Sequence, residues 1–195
     1  MKRNVFVIAL EDKQTRAMQT LRERKDLEIH GLLDVSTAVE SDNVSFNHLL
    51  SLANEQLTAY PGTVDAIIAQ WDFPTSVIVP ILCQQHHLPS PSITSVLKCE
   101  HKYWSRLEQQ KVVPDVVPKF CGIDPFAEDP LSQVTLDYPF WLKPVKAFSS
   151  HLGFKIESSL HFEQAIKEIR AGIRQLGDAF NEALAYIDVP EEIVH

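Results

Sequence analysis

Hydrophobic residues fall first into strand-length runs and later into helical stripes. Val5–Leu10 (VFVIAL) is apolar without a break, the pattern of a strand covered on both faces. Helix formers follow over Gln14–Arg22, and Leu27–Leu33 (LEIHGLL) predicts a second strand. Strand, helix and strand at this spacing predict a βαβ unit, hence a parallel sheet with a right-handed crossover. Asn47–Tyr60 predicts a helix stopped by the turn dipeptide Pro61-Gly62. Val64–Gln70 predicts a third strand, and Thr75–Gln84 a largely apolar helix. Leu88–Ser92 (LPSPS) reads as a linker or a short edge strand, and Ile93–Gln110 as one helix. In Leu160–Ala185, Phe162, Ala165, Ile166, Ile169, Ile173, Leu176, Phe180 and Leu184 recur at three- and four-residue spacing, with Lys167, Glu168 and Arg174 between them. This predicts one long amphipathic helix with Ser159 as its N-cap, in which Gly172 and Gly177 allow close packing or a break.

Between these regions lies Tyr138–Ser158 (YPFWLKPVKAFSSHLGFKIES), which predicts two short strands joined by a loop. Tyr138, Phe140, Trp141 and Leu142 suit a buried strand, and Pro144 prevents any helix from running through. Lys143 ends the first strand. Ala147, Ser149, Ser150 and Gly153 populate the loop before Gly153–Ile156 alternates again. A lysine facing a loop of small hydroxyl residues can hold a phosphate, through the ammonium charge and the hydrogen bonds of loop N–H and hydroxyl groups. A solvated hairpin with Lys143 as a surface charge fits the same residues.

Bulk properties restrict the setting. The 195 residues are enough for one domain or two small ones, and 45% hydrophobic with 23% charged residues is ordinary for a soluble globular protein. A formal net charge of −8 argues against a nucleic-acid partner, which needs a basic face. No apolar run reaches membrane-spanning length, and no signal-peptide pattern opens the chain, so no membrane partner is expected. Three cysteines at irregular spacing (Cys83, Cys99, Cys121) do not suggest a disulfide framework, and a cytoplasmic location is expected.

Other candidate chemistry is thinner. Asp72 lies where the third strand ends, the edge at which open α/β sheets place ligands, although Asp72 or Thr75 capping the next helix is the simpler reading. Cys83, His86 and His87 lack a second ligand pair, so no metal site is assigned. Asp124, Glu128 and Asp129 read as a solvated acidic loop in an irregular surface connection, Asp115–Gln133. The turn Glu11-Asp12-Lys13 has no Gly-x-Gly-x-x-Gly, which removes a dinucleotide site there. No Ser-His-Asp or Cys-His arrangement is legible.

Two blocks together resemble the ATP-grasp superfamily. One is Lys143-Pro144-Val-Lys-Ala-Phe-Ser149-Ser150-His-Leu-Gly153, similar to the strand lysine and small-residue loop that cover the nucleotide phosphates. The other is the "leucine–proline" segment Leu88-Pro89, the lysine-bearing helix with Lys102, and Val113-Pro114, which in the family opens the next strand. Lys98 lies one helical turn from Lys102, and a solvated helix surface accounts for both lysines as well. The loop departs from the glycine-rich family pattern at Phe148, His151 and Leu152. The resemblance implies a Rossmann-like pre-ATP-grasp α/β domain over residues 1–91 and the first part of an α+β ATP-binding lobe over residues 92–195. It implies ATP as ligand, its phosphates held by Lys102, Lys143, Ser149, Ser150 and Gly153. It also implies a small carboxylate substrate and Mg2+ whose ligands lie outside this chain. The reaction implied for a longer parent protein is carboxylate–amine ligation through an acylphosphate, this chain being an N-terminal fragment inactive alone; a homodimer is allowed. The competing expectation is a non-catalytic α/β module that binds a ligand or partner.

Overall fold

The three apolar runs near the N-terminus become neighbouring strands of one sheet in the computed structural model, which describes residues 2–11, 23, 25–39, 45–147 and 150–193. Strands β1 (Arg3–Ile8), β2 (Leu27–Leu32) and β3 (Ala66–Ala69) lie in the order β2-β1-β3, all parallel. In register, Val5 faces Ile29 of β2 and Ala66 of β3. β1 is the central strand, and Phe6, Val7 and Ile8 are all buried, which is why VFVIAL carries no polar alternation. The helix expected over Gln14–Arg22 lies outside the described residues.

The chain forms two compact units: Met1–Val96 with Ala179–Tyr186, and Leu97–Asp178 with Ile187–His195. In the first, α1 (Val35–Ala38) is a single turn capped by Asp34, and α2 (Phe46–Ala59) packs on β2. Helix α3 (Thr75–Gln85) packs on β3 and α2, burying Val77, Ile78, Ile81 and Leu82. Residues 179–186 join this unit through Phe180, whose ring meets that of Phe73 edge-on at 5.2 Å, and through Glu182. The Glu182 carboxylate accepts from the Ser45 hydroxyl at 2.8 Å and the Asn47 N–H at 2.9 Å, placing an anion where the open N–H groups of α2 favour one.

The second unit is built on an antiparallel pair, β4 (Phe140–Leu142) and β5 (Phe154–Ile156). Side chains alternate across a strand, so Phe140, Leu142, Phe154 and Ile156 share one face. That face packs against Phe162, Ala165 and Ile166 of α6 (Ser159–Gly172). Ile123, Leu131, Val134 and Leu136 complete this core. The proline-punctuated stretch is therefore more than a surface connection, since its apolar residues seal the hairpin's inner face. Its carboxylates organise turns: Asp124 accepts from the Phe126 N–H at 2.8 Å, and Asp129 caps a 3-10 turn, Pro130–Gln133.

Several boundaries differ from the sequence reading. Ile93–Gln110 is two helices, α4 (Ile93–Glu100) and α5 (Lys102–Val112), divided at His101, whose imidazole caps the second. Leu160–Ala185 is two helices, α6 and α7 (Arg174–Leu184), parting after Gly172, one of the two glycines at which the sequence allows a break, and Ser158 rather than Ser159 caps α6. Val113-Pro114 opens no strand; proline instead starts a 3-10 turn, Pro114–Val116. Leu88–Ser92 forms no strand. No helix among the described residues is long and apolar enough to cross a membrane.

Phe162 is almost fully buried between α6 and the hairpin. Phe162→Ala is expected to destabilise the second unit by about 3–5 kcal/mol, measured by urea unfolding, because a ring-sized cavity would open beneath β4 and β5.

Candidate functional site

With one face of the hairpin committed to the core, the other carries Trp141, Lys143, Gly153 and Lys155. Trp141 stands opposite Lys155 in the ladder, and Lys143 and Gly153 follow next in line. Trp141 is 62% exposed, and the Lys143 ammonium sits 5.2 Å from the centre of its ring, a cation–π contact on the solvent side. Lys143 is exposed at the end of β4.

The returning half of the loop is shaped without glycine in its left-handed positions. Ser150 (φ 59°) and Leu152 (φ 54°) take them, and the Gly153 N–H donates to the Ser150 carbonyl at 3.0 Å. Gly153 serves by its missing side chain: a Cβ there would lie 3.1 Å from the Ser150 carbonyl oxygen and 3.6 Å from Cγ of Lys143. Leu152 fits a second gap of this kind, since a Cβ on Gly172 would meet it at 3.2 Å. Leu152, which looked out of place in a phosphate loop, anchors the turn on α6. Ser149 and Phe148 lie outside the described residues.

Lys102 comes to this loop from the other side. Its N–H donates to the Val145 carbonyl at 2.8 Å and its ammonium to the Ala147 carbonyl at 2.7 Å. Lys98, the neighbouring alternative, is engaged on the helix surface with Glu108 at 3.3 Å and lies over the Trp104 ring at 5.5 Å. Hydrogen bonds from Lys111 first, and then Lys98, hold the Glu108 carboxyl below its usual range.

Two groups at this site escaped sequence reasoning. Lys146 is buried and paired with Glu100, the last residue of α4. A charge pair 46 residues apart leaves no periodic signal. His101, 3% exposed, accepts the Trp104 N–H on Nδ1 at 3.1 Å. Burial pushes its pKa down to about 4, and the adjacent Lys102 charge acts in the same direction.

The remaining candidates do other work. Asp72 accepts from the Phe73 N–H at 2.7 Å, and the Thr75 hydroxyl donates to the carbonyls of Trp71 and Asp72, so both organise the entry to α3. Cys83 is buried against the Ile67 carbonyl, and burial raises its pKa. Among the described residues, no three His, Cys, Asp or Glu side chains are grouped to hold a metal ion. The Lys143 ammonium lies against the exposed Trp141 indole, and the Lys102 ammonium is bonded to the loop carbonyl of Ala147.

His101 makes the unit sensitive to acid. Its folded pKa of about 4 lies below the ordinary value of 6.5, so the unfolded chain binds the extra proton first. Its contribution is fully present above pH 6.5 and declines as pH falls toward 4, by up to about 1.4 kcal/mol per pH unit. His101→Asn, which keeps a capping acceptor, is expected to flatten this part of the stability–pH curve from denaturant titrations.

No family model matches the sequence, and no curated protein matches it. Among solved structures, the crystal structure of L-amino acid ligase from Bacillus licheniformis superposes with a TM-score of 0.64 at 13% sequence identity. The match covers 87% of this chain and 42% of that one, so this chain spans less than half the length of that protein. At this identity the likeness speaks to the fold: most of the chain shares its mixed α/β architecture with part of an amino acid ligase.

Proposed function

We propose that the chain binds the phosphates of ATP between Lys102 and the loop that runs from Lys143 to Gly153, as one part of an ATP-grasp ligase. One observation carries the reading: the ammonium of Lys102 is delivered to the loop that follows Lys143, although the two lysines are far apart in sequence. These are the two cations that the resemblance assigns to the nucleotide. The likeness to an L-amino acid ligase supports the same reaction class from the fold.

In this reading Lys143 supplies positive charge from the end of β4, and Lys102 supplies it from the start of α5. Ser149, Ser150 and the N–H of Gly153 would offer hydrogen bonds to phosphate oxygens. Phosphoryl transfer depends mainly on such positioning and charge neutralisation. A substrate carboxylate oxygen attacks the γ-phosphorus, ADP leaves, and an acylphosphate forms. An amine then attacks the acyl carbon, its nitrogen gives up a proton and inorganic phosphate leaves, giving an amide. As the resemblance implies, the protein ligands of the magnesium that accompanies ATP would lie outside this chain. In this reading the chain contributes phosphate binding to the reaction of a longer protein.

Saturating MgATP is expected to raise the melting temperature. At 100 times Kd the added stability is about 2.7 kcal/mol. Lys143→Ala is expected to abolish the shift without changing the melting temperature of the ligand-free protein. A shift of unchanged size in Lys143→Ala would remove that residue from the site.

A further inference from the structure

Beneath the candidate site, three ties hold residues Val145, Lys146 and Ala147 to the junction of α4 and α5. The carbonyl of Val145 accepts from the backbone of Lys102, and the carbonyl of Ala147 accepts from its side chain. Between them, the Lys146 side chain turns inward and pairs with Glu100. The two side chains are only 4% and 13% exposed. Removing two charges from water is costly, and a buried ion pair is therefore a poor way to add stability; an apolar pair of similar volume commonly does as well. Its distinctive property is geometric. It favours one relative placement of the two segments, because moving either away separates a buried charge from this partner.

The segment fixed in this way begins two residues after Lys143 and leads directly into the loop. From these contacts we infer that Glu100 is a positioning residue for nucleotide binding: through Lys146 it sets where the loop leaves β4, and hence where Lys143 and Ser150 stand relative to the phosphates. The inference rests on the proposed ATP site. The Glu100 carboxylate is not itself a phosphate ligand; as an anion it would repel one. Charge alone therefore predicts that Glu100→Gln binds ATP more tightly, whereas positioning predicts weaker binding. The two accounts differ in sign.

The test measures MgATP and adenosine affinities by calorimetry for the whole chain, Glu100→Gln, Lys146→Met and the double variant, with circular dichroism to verify folding. Glu100→Gln is expected to weaken ATP binding about tenfold, comparable to losing one hydrogen bond to a charged group. Adenosine, which lacks phosphates, should bind all four proteins alike. The double variant should be no weaker than either single one, because both break the same tie. A folded Glu100→Gln protein with unchanged or tighter ATP affinity would overturn the inference. If Glu100→Gln does not fold, wild-type affinity in folded Lys146→Met would overturn it equally. Failure of both single variants to fold would assign the pair to folding alone and also overturn it. Absence of ATP binding by the unaltered chain would instead reject the ATP site, and the positioning role with it.

Discussion

The two-faced character of the β4–β5 hairpin is the constraint on which the site depends. Strand alternation sends Phe140, Leu142, Phe154 and Ile156 into a core closed by α6, and the same alternation leaves Trp141, Lys143 and Lys155 outward. Register is strongly specified wherever one face is buried, because a slip by one residue would expose the whole apolar set. A two-stranded sheet is marginal by itself, so the packing of Phe162 and its neighbours is what gives the outward lysine a fixed address. The outward placement of Trp141 and Lys143 is an outcome of the packing on the opposite side.

A second layer of control comes from the α4–α5 junction. The helix stops at Glu100, restarts at Lys102, and uses the intervening His101 as a cap. That break points Glu100, His101 and Lys102 to three tasks: pairing with the buried Lys146, capping the new helix, and binding the loop carbonyls. A continuous helix would turn the side chains of Glu100 and Lys102 away from one another around its axis and could not direct both at the segment Val145–Ala147. An acidic protein with a net charge of −8 thereby assembles a local group of lysines without needing a basic surface.

The sequence made the sheet and the larger helices legible because their cause is burial. VFVIAL reads as a doubly covered strand, and β1 is the central strand; the stripe from Phe162 to Ile169 reads as a helix face, and that face is buried. The break at His101 was illegible for the same reason, since the apolar period continues across it and neither proline nor glycine stands there; the break after Gly172 had its signal in that glycine. The place of Lys143 at a strand end was legible from the local pattern of strand, proline and small residues. Lys102 stood out through its order relative to Val113-Pro114, although that dipeptide begins a 3-10 turn rather than a strand. The Glu100–Lys146 pair was invisible because two isolated charges acquire meaning only when the fold joins them. Leu152 illustrates the converse: bulky and apparently misplaced, it fits because Gly172 leaves room on a helix distant in sequence.

The central claim is that the outward face of the hairpin and the start of α5 together enclose nucleotide phosphates. The most direct measurement is a crystal structure of the chain with a non-hydrolysable ATP analogue and magnesium. Phosphate oxygens are expected within hydrogen-bonding distance of the Lys143 and Lys102 ammonium groups and of the Ser150 hydroxyl. An analogue bound away from the hairpin, with both lysines turned to solvent or protein, would contradict it.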